Sequence, residues 1–441
     1  MPPSVVLLSL QLLTLLCLAS ARARVTDPNC AAPPDKDSTL RVTHAYGPCS
    51  PFRPPKLSWE DALLDITSND ASRLLYLSSL AVSTRKTVAP VASGRQVLQS
   101  ANYVVRVGLG NPPQPMLMAL DTSNDAAWLP CPACAGCPPS STIFDSTKSS
   151  SFTPVPCGDA RCNQVPNPSC QGTSCSFNMT YGSSAFQAAL SRDTLHIADD
   201  IFPAYIFGCL QKVTGSSVPP QGLLGLGRGP ASLLSQTQDR YRSTFSYCLP
   251  SFRSLNFSGS LRLGPAGQPI RIKTTPLLTN PRRPTFYYVN MTGIRVGRRE
   301  VAIPPSALAF DPATGAGTIF DSGTMFTRLV EPAYVAVRDE FRRRIRGKNA
   351  TSLGGFDTCY EGPIVAPTIT FMFTGMNVTL PLDNVLIHST AGSTVCLAMA
   401  AAPANVNSVL NVIANMQQQN HRVLFDVPNA RLGVAREPCT V

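Results

Sequence analysis

Two kinds of hydrophobic pattern divide the chain. Between Trp59 and Leu80, the residues Leu63, Leu64, Ile66, Leu74, Leu75 and Leu77 recur at helix-like intervals with Asp, Ser and Arg between them. That spacing predicts an amphipathic helix. From Asn102 onward, short apolar runs closed by Gly, Pro, Asn and Ser take over, the pattern of a β protein rich in turns. Tyr103 to Leu109 alternates, Gly110-Asn111-Pro112-Pro113 turns the chain, and Met116 to Leu120 runs apolar into Asp121. The prediction is a β-hairpin whose second strand delivers an aspartate into a turn. A later amphipathic helix is predicted where Val337, Phe341 and Ile345 share one face within the basic run Arg338 to Lys348, which reads as a solvated helix face.

The β pattern contains a weak internal repeat. Met118-Ala119-Leu120-Asp121-Thr122-Ser123-Asn124 resembles Thr318-Ile319-Phe320-Asp321-Ser322-Gly323-Thr324, 200 positions later. Each is followed, about 90 to 105 residues on, by an apolar run able to cross beside it: Gly222 to Gly227 and Leu410 to Asn415. A duplicated β-lobe with one aspartate at each edge explains both pairs. The bare Asp-hydroxyl pair carries little weight, because Asp145-Ser146-Thr147, Asp193-Thr194 and Asp357-Thr358 share it. The apolar run before each aspartate and its place in the repeat set Asp121 and Asp321 apart.

At 441 residues the chain exceeds one hydrophobic core. Val5 to Ala19 is largely apolar and is followed by Ala19-Ser20-Ala21 and Ala21-Arg22-Ala23, small-residue cleavage patterns of a secretory signal, although no Lys or Arg precedes the apolar run. The expected organisation is a signal peptide over 1–21, a prosegment over 22–90 that covers something until it is cleaved, an N-terminal β-lobe over 91–280 and a C-terminal β-lobe over 281–441. Ser83 to Gln99 reads as an exposed linker. No stretch is long and apolar enough for a transmembrane segment.

Of the 15 cysteines, Cys17, Cys30 and Cys49 precede the expected mature region. The other twelve are Cys131, Cys134, Cys137, Cys157, Cys162, Cys170, Cys175, Cys209, Cys248, Cys359, Cys396 and Cys439, an even number that suits full pairing in an oxidising compartment. Their connectivity is open. Cys131, Cys134 and Cys137 have the C-x-x-C spacing of metal ligands, but no matching pair follows, so no metal is expected. Sequons at Asn178, Asn256, Asn290, Asn349 and Asn377 are candidate glycosylation sites on surface loops. The net charge of +11 allows attraction to acidic polymers or substrates, or to nucleic acid.

Two carboxylates about 3 Å apart cannot both ionise and therefore share one proton. The ionised member then serves as general base towards water, and the protonated member as general acid towards a peptide carbonyl. Such a pair titrates jointly, predicts an acidic working range and needs no cofactor. Each aspartate also needs a hydroxyl to fix its rotamer, which Thr122, Ser322 and Thr324 can offer. Other hydrolytic machinery is poorly represented: there is no G-x-S-x-G, no H-E-x-x-H and no phosphate loop. His196, His388 and His421 read as loop caps or surface residues, and His44 lies in the expected prosegment. A glycosidase pair of carboxylates would lack an aromatic-rich sugar platform.

Further motifs extend over nearly the whole chain. They include Tyr46-Gly47-Pro48-Cys49-Ser50-Pro51-Phe52, Tyr103 to Gly110, Phe207-Gly208-Cys209, Gly222 to Gly229, Gln417-Gln418-Gln419-Asn420, and Arg431 to Ala435 before Cys439. On these residues the chain resembles the pepsin-type aspartic proteases, and within them the plant nepenthesin-like group. The resemblance implies an all-β dominated, bilobal fold with a few short helices, and a secreted endopeptidase acting at acidic pH. Asp121 and Asp321 would be its catalytic pair, with Thr122 and Ser322 interlocking the two active loops. Tyr181 in Met179-Thr180-Tyr181-Gly182 would be the flap tyrosine, and Cys131 to Cys175 a disulfide-rich insert.

Three positions depart from the family pattern. Ser123 and Asn124 stand where D-T-G-[ST] is usual, Ala414 replaces a Gly, and the flap reads Tyr181-Gly182-Ser183-Ser184. Ser123 brings a Cβ near the water site, and Asn124 replaces a hydroxyl expected to bond Asp121. Slowed catalysis or a shifted pH dependence is therefore expected. The alternatives are a binding or inhibitor protein on the same fold, directed at cell-wall enzymes, and a DNA-associated plastid protease. The expected partners are protein or peptide substrates met by a monomer rather than nucleic acid. The expected location is the apoplast, with vacuole or plastid as alternatives.

Overall fold

A computed structural model describes residues 39–44, 63–64, 66–71, 73–74, 77 and 102–439, less 140–141, 253–258, 390–392 and 404–407. The signal segment 1–21, the Tyr46 to Phe52 motif, the linker Ser83 to Gln99 and Asn256 lie outside these residues. Strand β1 is Thr39–His44. The alternating run forms β2, Tyr103–Leu109, and the run into the first aspartate forms β3, Gln114–Asp121. They pair antiparallel from Val104↔Ala119 to Leu109↔Gln114. Gly110 in the connecting turn takes φ 94°, a conformation that costs glycine little.

The second member of each predicted pair lies where the repeat required. Leu223–Gly225 runs parallel to β3 with Gly225 opposite Asp121. In the second lobe Gly317–Phe320 is flanked by Tyr288–Val289, antiparallel, and by Leu410–Ile413, parallel. Backbone bonds also tie each aspartate to its crossing strand, in opposite directions in the two lobes. Leu226 N–H donates to the Asp121 carbonyl at 2.8 Å, and Asp321 N–H donates to the Ile413 carbonyl at 3.0 Å. Strand β4, Trp128–Ala135, lies parallel to the long strand Asp200–Thr214 and completes the apolar wall of the first lobe.

An antiparallel sheet joins the lobes in the order Gly259–Leu263, Thr244–Cys248, His421–Asp426, Arg431–Arg436, Lys273–Leu278. Its centre is aromatic: Phe245 stacks on Phe425 with centroids 4.5 Å apart, and the Tyr287 ring meets Phe425 edge-on. The all-β dominated bilobal fold expected from the pattern is what forms. Strand β1 pairs antiparallel with both Gly259–Leu263 and β2, so a piece of the N-terminal segment is a strand of the joining sheet.

The described residues between 63 and 77 are helical, with Leu63, Ile66, Leu74 and Leu77 buried and Leu64 exposed. The basic helix spans Glu331–Arg344 and buries Val337 and Phe341, with Ile345 buried just beyond it. Its arginines are largely partnered: Arg338 and Arg342 reach Asp357, while Arg343 and Arg344 reach Glu340. That arrangement is the solvated helix face of the sequence reading. Among the described residues no helix is long and apolar enough to cross a membrane.

All twelve cysteines pair, as Cys131–Cys209, Cys134–Cys137, Cys157–Cys170, Cys162–Cys175, Cys248–Cys439 and Cys359–Cys396. The three cysteines with metal-like spacing are therefore engaged in disulfides. Asn178, Asn349 and Asn377 are exposed, whereas Asn290 is half-buried and donates from its amide to Thr374 Oγ1 at 2.9 Å. His196 bonds the Gly110 carbonyl. His421 is buried against the Gln419 carbonyl rather than facing solvent, and burial holds its pKa below the usual value.

Candidate active site

Each aspartate sits where an apolar strand runs out into a turn, and both are fully buried at the lobe junction. Their loops are locked by a reciprocal exchange. Thr122 N–H donates to Ser322 Oγ at 3.2 Å, and Ser322 N–H donates to Thr122 Oγ1 at 3.0 Å. The same hydroxyls donate onward, Thr122 to the Phe320 carbonyl at 3.3 Å and Ser322 to the Leu120 carbonyl at 3.1 Å. Four bonds thus place one loop against the other without using either carboxylate. Asn415 and Gln418 brace the second loop from beneath, donating to the Ser322 and Asp321 carbonyls at 2.9 and 3.2 Å.

The carboxylates are held by different donors. Asp121 Oδ1 accepts from Ser123 N–H and from Ser123 Oγ, both at 2.8 Å, and its Oδ2 accepts from Asn124 Nδ2 at 2.9 Å. Asp321 accepts from Gly323 N–H at 3.0 Å and from Thr324 Oγ1 at 2.6 Å. Asn124 therefore keeps the bond that the sequence reading expected it to lose, and Ser123 adds one. Ala414 has φ −89° and ψ 171°, an ordinary extended conformation, so the missing glycine forces nothing.

Tyr181 lies at the tip of the hairpin Ser174–Tyr181/Ser184–Ile197. Its hydroxyl donates to Asp121 Oδ2 at 3.2 Å and accepts from Asn102 Nδ2 at 2.9 Å, while its ring meets Trp128 edge-on at 5.3 Å. A further carboxyl, Asp125, accepts from Gly229 N–H and from Thr285 Oγ1, both at 2.7 Å, and burial pushes it above its usual range. None of Asp125, Trp128 or Asn102 was picked out from the sequence. The Gly-rich run conceals Asp125's role: a Cβ on Gly227 would meet its Oδ1 at 2.3 Å, so that glycine makes room for this carboxyl.

The N-terminal helix fills the space above the pair. Arg73 Nη2 lies 2.7 Å from Asp121 Oδ1 and 3.5 Å from Asp321 Oδ1, and also contacts Ser123 Oγ. Its guanidinium sits 4.9 Å from the centre of the Tyr181 ring, within cation–π range. One turn earlier, Asp70 accepts from Met325 N–H at 2.6 Å and from Phe326 N–H at 2.5 Å. Burial pushes the Asp70 carboxyl up to about 7, opposed by Arg328 and by the two backbone donors. Burial likewise raises Asp121, opposed by Arg73 and the Ser123 bonds and reinforced by Asp321. Asp70 and Arg73 were also missed, though a signal existed. Residues 63, 66, 70, 73 and 77 share one helical face, and two charges interrupt that otherwise apolar stripe.

Among the described residues no group of His, Cys, Asp or Glu could hold a metal ion. Residues 103–265 match the family model described as xylanase inhibitor N-terminal, and residues 286–436 the one described as xylanase inhibitor C-terminal. The chain is 51% identical over 438 residues to aspartyl protease AED3 of Arabidopsis thaliana, covering 97% of each. It is 34% identical to aspartic proteinase nepenthesin-1 of Nepenthes gracilis, covering 76% of this chain and 78% of that one. Among solved structures, conglutin gamma, a basic 7S globulin from lupine seeds, shares the fold with a TM-score of 0.62 at 16% identity, over 77% of this chain and 95% of that one.

Proposed function

The chain belongs to the plant nepenthesin-like family of pepsin-type aspartic proteases, and on that premise we propose that it is a secreted aspartic endopeptidase, made as a zymogen and working at acidic pH. The observation that carries the proposal is the buried pair Asp121 and Asp321, set by the Thr122–Ser322 exchange and bridged by one guanidinium. A cation bound to both carboxylates occupies the place a water must take. In the zymogen Arg73 holds that place, and removal of the N-terminal segment clears it.

With the site open, the pair shares one proton. The ionised carboxylate takes a proton from the bound water as its oxygen attacks the peptide carbonyl carbon. The protonated carboxyl gives its proton to the carbonyl oxygen, producing a neutral tetrahedral diol. Collapse of the diol returns a proton through the pair to the amide nitrogen and breaks the C–N bond. Tyr181, at the tip of a two-stranded hairpin, is placed to close over the substrate and exclude water. Six disulfides support folding in an oxidising compartment, and with it secretion.

A second reading, a binding protein on this fold, is favoured by the two matching family models, both described as xylanase inhibitor domains. The intact donor set around both carboxylates favours catalysis. The test is peptide cleavage by the secreted, processed chain across roughly pH 3 to 7, the range in which such a pair titrates. Wild type is compared with Asp121→Asn and Asp321→Asn. Each substitution is expected to lower kcat by about 10²- to 10⁴-fold, since it removes an acid or base from the reaction. A folded, processed wild type that cleaves nothing would overturn the protease reading in favour of binding.

A further inference from the structure

We propose that the place Asp70 fills becomes, once the N-terminal segment has left, a subsite for an acidic side chain of the substrate, with Arg328 as the residue that sets the preference. The inference rests on the protease reading above and names a substrate class for it: polypeptides with Asp or Glu close to the cleaved bond.

The docked segment shows what this place accepts. The two oxygens of Asp70 take one backbone N–H each, Met325 at 2.6 Å and Phe326 at 2.5 Å. Both donors follow closely on Asp321 in the second active loop, so a side chain bound there lies near the reacting carboxyls. Arg328 is the strongest influence holding the Asp70 carboxyl down against burial. All three groups can only donate. A carboxyl presents an acceptor oxygen to each N–H. An asparagine amide has one oxygen and sets its NH2 group against the other N–H. An apolar side chain leaves both N–H groups unpaired.

The surroundings of Arg328 call for an anion. It lies on the strand Thr327–Leu329 with 4% of its surface exposed. Its Nη1 donates to the Ala401 carbonyl and its Nη2 to the Thr67 carbonyl, both at a long 3.4 Å, and its buried Nε has no hydrogen-bond partner. Burial weighs against its charge, and Asp70 is the main influence that supports it. Thr67 and Asp70 both belong to the segment, so its departure takes away one of these two bonds and the acidic neighbour together. A buried charge left without a partner is costly, and an acidic side chain of the substrate restores one. A cavity of about 510 Å³ beside the helix, lined by Thr67, Arg328, Asp357 and Ala401 among others, gives room beyond the outline of Asp70.

Two carboxyls stand against an acidic guest, and neither cancels the attraction. Asp357 lines the same cavity but is taken up by Tyr334, Thr358, Arg338 and Arg342. Asp321 opposes a charge at Asp70 less strongly than Arg328 and the two N–H donors favour it. The net charge of +11 also favours encounter with acidic polypeptides before these contacts form.

The test measures kcat/KM of the processed chain at about pH 5, where a substrate aspartate is ionised in solution. The peptides differ only in carrying Asp, Asn or Ala at one position, scanned through each position flanking the cleaved bond. At one position wild type should prefer Asp over Asn by about tenfold to a hundredfold, the scale of a charged acceptor exchanged for an unpaired buried N–H. Arg328→Gln should lower that ratio by at least about fivefold, the scale of a charge interaction at partial burial. Arg328→Met, which keeps the stem without the charge, should do the same, and Arg328→Lys should retain most of the preference. A merely structural role slows all peptides alike, so an unchanged ratio in the neutral variants overturns the assignment of Arg328. A wild type that prefers Asp at no position overturns the subsite whether or not any variant folds. Binding of a short peptide with the sequence of residues 67–74, and of its Asp70→Asn form, is read by calorimetry on the processed chain and repeats the comparison without turnover. Equal binding of the two forms overturns the subsite. A wild type that binds the Asp form more tightly but cleaves nothing supports the subsite and defeats the protease reading alone.

Discussion

The two active loops share a backbone and divide in their surroundings. Each ends an apolar strand, crosses beside a parallel partner and gives a hydroxyl residue to the reciprocal lock. Four positions further along they part. The first loop carries Asp125, which ties it to Gly229 and, across the lobe boundary, to Thr285. The second carries Met325, whose N–H and that of Phe326 are bonded by Asp70 from the N-terminal helix. Both loops are braced from within the lobes, the second by Asn415 and Gln418, but only the second is also capped by the segment that covers the site. Duplication supplies the symmetric placement of two carboxyls. Divergence decides which loop is tied across the lobe boundary and which one receives the helix.

The largest expected effect comes from removing the link between helix and pair. Arg73 is buried between two carboxyls, and breaking a buried ion pair by deleting one partner costs about 3–5 kcal/mol. Arg73→Ala should therefore weaken docking of the segment roughly a hundredfold or more, and the full-length chain should cleave peptides before it is processed. An unprocessed variant as silent as wild type would mean that Arg73 does not gate the site. Next in size is Gly225→Ala. A Cβ there would meet the Asp125 carbonyl oxygen at 2.1 Å, and backbone cannot yield as a side chain can. Overpacking of this kind costs about 1–3 kcal/mol, read as a lower thermal midpoint. A midpoint equal to wild type would show that the first loop is less rigidly braced than its contacts imply.

Most of this framework was legible from the pattern of apolar and polar residues. Alternation over Tyr103 to Leu109, the apolar run into Asp121 and its echo before Asp321 specify strands, an edge and a repeat, because side-chain period 2 and burial are local properties. The crossing strands at Leu223 and Leu410 followed from the same repeat. What escaped depends on contacts between distant segments. Asp70 and Arg73 could be assigned to a helix, but not to the loops some 50 to 250 residues away that they touch. Ser123 and Asn124 were expected to weaken the site, because family pattern registers a lost glycine and hydroxyl. It does not show a serine rotamer aimed at Oδ1 or an amide nitrogen taking over the bond to Oδ2. Disulfide connectivity escaped for the same reason, since spacing does not say which strands lie side by side.

Asp70 gives the capped loop a pH dependence of a particular sign. Docked, its carboxyl is pushed up to about 7 by burial, and in the released segment it returns to the ordinary aspartate value of about 3.9. Docking therefore takes up a proton, and this contribution is complete below about pH 4 and lost as pH rises through 7. Acidification does not expel the helix through Asp70, so activation in acid must come through cleavage or through the Arg73 contacts. A synthetic segment covering 60–80, added to processed enzyme, should inhibit more tightly as pH falls from 7 to 5, by at most about tenfold per pH unit for one proton. The Asp70→Asn segment should lose that slope. A wild-type segment that binds less tightly at pH 5 than at pH 7, with the Asn segment unchanged across the range, would reverse the sign.

The smallest effect is expected at Ala414, and it sharpens the comparison most directly. By register Ala414 is the counterpart of Gly225, since Ile413 lies opposite Phe320 as Leu224 lies opposite Leu120. The two sites differ in what stands in front of the Cβ. At Gly225 it would strike the Asp125 carbonyl, whereas Ala414 already accommodates one with ordinary extended dihedrals and donates its N–H to Thr327 Oγ1 at 3.1 Å. Ala414→Gly should leave kcat/KM unchanged and lower stability by about 0.5–1 kcal/mol, the entropic cost of a glycine in ordered backbone. A gain in rate would mean that the methyl group restrains the second loop after all. With no gain, the second loop tolerates alanine because no backbone stands in front of its Cβ, and only the first loop, where Asp125 closes in, requires the glycine.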